Sequence, residues 1–89
     1  MVDVRELEKV MKVFANRRRL AIVKYLAGRR EASVGDIARE LKISFTATSK
    51  HLNRLLIVDV LECEQRSLKV FYRLAGTQRP IAKALLGLF

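Results

Sequence analysis

A mostly helical α+β domain, four helices followed by a two-stranded hairpin and a closing helix, is the fold this sequence predicts. Apolar residues recur at helical spacing in four blocks as far as Leu56. The spacing then shortens to a period of two over residues 61–65 and 69–74, which reads as two strands. Length supplies the third observation, because 89 residues make one domain, 1–89, with only a modest share of its surface to bury.

The first helix runs from Val4 to Phe14. Val4, Leu7, Val10, Met11 and Phe14 share one side, and Asp3 and Glu6 suit the dipole at its start. Asn16 breaks the pattern and can cap a second helix, Arg17 to Ala27, expected to bury Leu20, Val23 and Leu26 and to end at Gly28. Arg17, Arg18 and Arg19 then lie in its first turn, where positive charge opposes the dipole. Either a DNA backbone or an acid from the first helix or a partner should face them.

Ser33 begins a third helix, with Asp36 as a short-armed capping-box partner and Val34, Ile37, Ala38 and Leu41 as the apolar stripe. The short link Lys42-Ile43-Ser44 leads into a fourth helix capped by Ser44. Two short helices joined this tightly cross steeply, the helix-turn-helix arrangement.

The fourth helix has two unlike faces. Phe45, Thr48, Leu52, Leu55 and Leu56 fall on one side and demand burial, whereas Thr46, Ser49, Lys50 and Asn53 fall on the other. The outer face bears donors and acceptors without a carboxylate, as contact with base edges and phosphates would require. Ser, Thr and Asn are also ordinary surface residues, so the face gains meaning from its context.

Past Leu56 the chain turns β-branched, and Asp59 tolerates the left-handed backbone that stops helices. Leu61 to Gln65 and Lys69 to Leu74 form a hairpin wing around Arg66-Ser67-Leu68, a loop without the usual Gly, Asn or Asp. Gly76 to Pro80 is a break, and Pro80 opens a last helix, 80–89, carrying Ile81, Ala84, Leu85, Leu88 and Phe89.

Composition narrows the function. Lys and Arg number 18 against 9 Asp and Glu, a formal charge of +9 that favours a polyanionic partner, nucleic acid before an anionic membrane surface. No apolar run approaches the ~20 residues of a membrane span, and the N-terminus lacks the pattern of an export signal. With Cys63 as the only cysteine no internal disulfide is possible, and the cytoplasm is expected. Hydrophobic residues still make up 51% of the chain. Leu7, Met11, Phe14, Leu85, Leu88 and Phe89 place more apolar surface on the terminal helices, 4–14 and 80–89, than one small domain covers, so a homodimer joined there is expected.

Thr48-Ser49-Lys50-His51-Leu52-Asn53-Arg54-Leu55, with Tyr72-Arg73-Leu74 closing the hairpin, resembles the winged helix-turn-helix repressors of the ArsR/SmtB family over almost the whole chain. Phe14-Ala15-Asn16-Arg17-Arg18-Arg19-Leu20-Ala21-Ile22 is similar to that family's second-helix opening, an Asp-x-x-Arg phrase followed by Leu and Ile. The resemblance implies a homodimer joined through its first and last helices, with two recognition helices in successive major grooves of a near-palindromic operator. The chain departs from the family in three places: Asp59 stands where a glycine is usual, the wing has no glycine turn, and the last helix is short.

Many relatives carry Cys-Val-Cys in the third helix, where this chain has Ser33-Val34-Gly35, and others carry ligands on the last helix, where it has none. One Cys63 and one His51 cannot complete a metal site within a subunit, so no metal is expected. His51 is read as a packing or hydrogen-bonding residue at the edge of the helix-turn-helix core, and Cys63 as a packing residue of its strand. No phosphate loop, paired carboxylates or catalytic base suggests an enzyme or a cofactor.

These readings converge on a sequence-specific, dimeric, double-stranded-DNA-binding transcriptional repressor. Ser44, Thr46, Ser49, Lys50 and Asn53 would meet DNA from the helix, and Arg54, Arg66 and Lys69 would hold phosphates or reach the minor groove. An architectural DNA-coating protein and a protein-interaction module are the alternatives.

Overall fold

In the computed structural model, which describes residues 3–76 and 80–89, the elements follow the order α1 (Val4–Phe14), α2 (Arg17–Ala27), β1 (Ala32–Ser33), α3 (Val34–Leu41), α4 (Phe45–Ile57), β2 (Leu61–Arg66), β3 (Lys69–Leu74) and α5 (Pro80–Leu86). The middle of the break expected between Gly76 and Pro80, like residues 1 and 2, lies outside the described residues. The architecture is a winged helix-turn-helix: α3 and α4 form the angled pair, and the β2–β3 hairpin is the wing.

Local chemistry sets most of the boundaries. The Asp3 carboxylate accepts from the Arg5 amide at 2.9 Å, and the Asn16 side chain from the Arg19 amide at 3.1 Å. Ser33 and Asp36 close a reciprocal capping box at α3, and Ser44 Oγ accepts from the Ala47 amide at 3.0 Å at α4. Each bond satisfies an amide that has no partner inside its helix. Lys42 and Asp59, which follow α3 and α4, take positive φ of 57° and 60°.

The core joins Val10 and Phe14 of α1, Ile22, Val23 and Leu26 of α2, Ile37 of α3, and Leu52 and Leu55 of α4, with Val58, Val60 and Leu61 beneath the wing. Leu20 lies outside it at 37% exposure, and Ile22 takes its place. An i, i+3, i+6 series drifts by roughly 60° per step around a helix, so Leu20 and Leu26 cannot share one narrow face. Phe45 is also corrected to an exposed position, 63% accessible. It stands a turn beyond the first buried residue of α4, Thr48, and projects past the packed body.

The sheet has three strands, in the order β1-β3-β2. The sequence reading missed β1, which pairs Ala32 with Tyr72 and Ser33 with Phe71. In the wing Glu62 faces Arg73 and Arg66 faces Lys69, so Arg66 belongs to a strand and the turn narrows to Ser67-Leu68, with Ser67 at φ 59°. Cys63, expected to pack, is exposed. Helix α5 ends at Leu86, short of the expected Phe89; Ala82 is its buried residue and Ala84 is exposed.

Among the intended interface positions, Leu7 and Leu85 are half-buried, while Met11, Leu88 and Phe89 are 50%, 78% and 47% exposed. Phe14, at 5%, is part of the subunit's own core and leaves little to a partner.

Candidate nucleic-acid interface

Helix α4 is fixed from beneath. Thr48, Leu52 and Leu55 are 0% exposed, and the Thr48 hydroxyl donates to the Ser44 carbonyl at 2.8 Å, so a polar residue is buried without an unmet hydrogen bond. On the opposite side Thr46, Lys50, Asn53 and Arg54 are exposed and Ser49 is half-buried. Five of the eight residues expected to meet DNA thus reach one surface. Ser44 adjoins them; its oxygen accepts the capping bond, which leaves its proton and a second lone pair to offer outward.

A strut that the sequence did not reveal holds this helix to α1. Arg19 Nε donates to the Val13 carbonyl at 2.6 Å and Nη2 to the Lys12 carbonyl at 3.3 Å. Both acceptors belong to the last turn of α1, where the helix supplies no amide for them. Arg19 Nη1 lies 3.3 Å from Nδ1 of His51, on the flank of α4. With arginine as donor, that ring nitrogen must be the unprotonated acceptor. Burial first, then Arg19, Arg18 and Arg54, hold the His51 imidazole below its ordinary range, which favours this neutral form. One member of the arginine cluster is therefore engaged within the chain, not by an acid but as the cap of a neighbouring helix.

The wing differs from expectation. Arg66 pairs with Glu31, from the segment before β1, and its guanidinium lies 3.9 Å over the Phe71 ring. Arg73 reaches Glu62 at 2.9 Å, Glu64 at 3.2 Å and Glu31 at 3.9 Å. Hydrogen bonds to Glu62 and then Glu64 raise the Arg73 pKa further. Arg66, read as a phosphate contact, is thus already occupied in the free chain. Lys69 is exposed and forms no salt bridge among the described residues. The Glu62–Arg73 pair follows from strand register, whereas Glu31 lies 35 residues from Arg66 and no local pattern connects them.

Arg17 and Arg18 are exposed, and with Lys24, Arg29, Tyr25 and Glu40 they border a hollow of about 610 Å³ between α2 and α3. Among the described residues no three His, Cys, Asp or Glu side chains converge to hold a metal ion, and no helix is long and apolar enough to cross a membrane.

A family model described as bacterial regulatory protein, arsR family, matches residues 16–62, just over half of the chain. Reduced HlyU from Vibrio cholerae N16961 is 30% identical with a TM-score of 0.81, the match covering 96% of this chain and 85% of that one. A fragment, 1–100, of Mb0332 from Mycobacterium bovis, described as a homodimeric winged helix-turn-helix DNA-binding domain, is 29% identical with a TM-score of 0.81, covering 96% and 75%. The transcriptional repressor PagR of Bacillus anthracis, 24% identical with a TM-score of 0.75 over 96% and 93% of the two chains, shares the fold. No curated protein sequence matches the chain.

Proposed function

Because this chain belongs to the arsR family of bacterial regulatory proteins, whose models and solved relatives are transcriptional regulators rather than enzymes, we propose that it is a dimeric repressor reading duplex DNA through α4. The observation that carries the reading is the acid-free outer face of α4, mounted on side chains that are fully buried. A helix of 13 residues is ~20 Å long and enters a major groove ~12 Å wide. Its central outward residues then reach bases while flanking cations meet the backbone.

Within this reading Lys50 is suited to guanine and Asn53 to adenine, while Thr46 and Ser49 make shorter contacts to bases or methyl groups. Arg54 and Lys69 serve phosphates. The dimer is supported by the exposed apolar surface of Val4, Met11, Leu88 and Phe89 and by the homodimeric form described for Mb0332. Control by metal is not part of the proposal, since no three His, Cys, Asp or Glu side chains converge among the described residues.

The test is affinity for a duplex selected from a random pool and for a scrambled one, with Lys50→Ala and Asn53→Ala. Each substitution should cost ~1 to 3 kcal/mol on the selected duplex and much less on the scrambled one. Equal losses on both duplexes would replace base reading with architectural coating.

A further inference from the structure

The cations of this chain fall into two populations. Two of the three wing cations are matched by acids: Glu31 holds Arg66, and Glu31, Glu62 and Glu64 surround Arg73, while Lys69 forms no salt bridge among the described residues. Those of α2 are not so matched. From Arg17 to Arg30 the sequence contains six Lys and Arg residues and no carboxylate. Among the described residues only Arg19 of these is engaged by side-chain hydrogen bonds, to carbonyls and to His51, and Arg29 lies 4.0 Å over the Tyr25 ring. Among the described residues Arg17, Arg18 and Lys24 form no salt bridge, and Glu40 is the single acid bordering their hollow. The surplus positive charge of the molecule is therefore concentrated on the helices.

This unmatched surface is continuous with the recognition helix. His51 lies on α4 beside Lys50, touches Arg19, and feels the charges of Arg18 and Arg54. Arg18 thus links the α4 flank, where it acts on His51 together with Arg19 and Arg54, to the α2 surface that it shares with Arg17 and Lys24. Seven residues of helix separate Arg17 from Lys24, a rise of ~10 Å, enough to meet more than one phosphate of a strand. Arginines in the first turn of α2 gain nothing from its dipole, and they are strained there unless an anion comes to them.

We infer that α2, through Arg17, Arg18 and Lys24, is a phosphate-binding surface for the DNA backbone beside the groove entered by α4, and that the wing, where Lys69 is the one cation without a salt bridge among the described residues, contributes the smaller share of backbone affinity. The inference rests on the DNA-binding reading above. It assigns the larger part of the electrostatic share of binding to a surface distinct from both the base-reading face and the wing.

Two double variants removing equal charge separate the possibilities: Arg17→Gln with Arg18→Gln on α2, and Arg66→Gln with Lys69→Gln on the wing. All four residues are exposed, and thermal unfolding checks that each variant folds. Affinity for the selected duplex is measured from low to moderate salt. The α2 pair should flatten the slope of log affinity against log salt by about two, since each lost phosphate contact removes ~0.9; the wing pair should change it by less than one. Phosphate-ethylation interference should show contacts present with the wild-type chain and missing with the α2 variant. Equal slope losses in both variants, or a larger loss in the wing variant, would overturn the inference while leaving the DNA-binding reading intact. A wild-type chain with no affinity for duplex DNA would overturn both.

Discussion

Replacing Arg19 with methionine should destabilise the fold by ~2 to 3 kcal/mol, although the residue lies outside the apolar core. Methionine keeps most of the aliphatic stem but removes the donors to Val13 O, Lys12 O and His51 Nδ1. A hydrogen bond to a charged donor contributes ~1.5 to 3 kcal/mol net, and a stranded buried acceptor costs ~1 to 3 kcal/mol. Arg19 is only half-buried, so water recovers part of the loss and the sum stays near the value of one good bond plus a fraction. In a domain of this size that shift lowers the unfolding midpoint by ~10 to 20 °C. Urea unfolding followed by circular dichroism, at fixed protein concentration because dimerisation would also shift the midpoint, measures it. Arg19→Lys should recover less than half, since one ammonium cannot reach two carbonyls and an imidazole together. A methionine variant within 0.5 kcal/mol of wild type, or a lysine variant equal to it, would refute the strut.

Acid should weaken the fold through His51. The unfolded ring takes up a proton near pH 6.5, the folded ring at lower pH because of burial and its arginine neighbours, so stability is full above about 6.5 and declines as pH falls toward the folded value. His51→Asn keeps an acceptor for Arg19 without titrating, and unfolding midpoints between pH 5 and 7 should be flatter for it than for wild type. Ser33→Ala removes the hydroxyl half of the α3 capping box and should cost ~1 kcal/mol in the same denaturation assay. Met11→Glu should change the stability of the isolated subunit by less than ~0.5 kcal/mol, because the side chain is 50% exposed, yet shift sedimentation toward monomer; unchanged sedimentation would count against the α1 face as an interface.

The reach of the sequence into this structure follows the range of each interaction. Asn16, Ser33 and Ser44 act within three residues of themselves, and their capping roles were legible from spacing alone. The Asn16-x-x-Arg19 phrase was recognised by resemblance, and its physics is now visible: Asn16 starts α2 while Arg19 finishes α1. Nothing in the sequence could show the second half, because the acceptors are backbone carbonyls that every residue carries. Strand β1 was invisible for a related reason, being two residues long and sharing Ser33 with a helix cap. The Arg66–Glu31 pair was not legible, because the acid approaches from across the sheet. Leu20 and Phe45 show the limit of periodicity, which identifies the apolar side of a helix but not where the body beneath it stops.

Lys42, Asp59 and Ser67 set the helix-turn-helix joint, the step from α4 toward the wing, and the wing tip, all with positive φ and none a glycine. Glycine moves between the two signs of φ at little cost, whereas an L-residue in the left-handed region occupies a narrow well. In the proposed complex α4 would thus be mounted on stiff pivots and would adapt little to an ill-fitting duplex. In a dimer of the kind proposed, the distance between the two α4 helices would be set by the protein, and any mismatch with the ~34 to 36 Å helical repeat would be absorbed by the DNA. Bending and twisting are cheaper at some base steps than at others, so the bases between the half-sites would influence affinity without being touched.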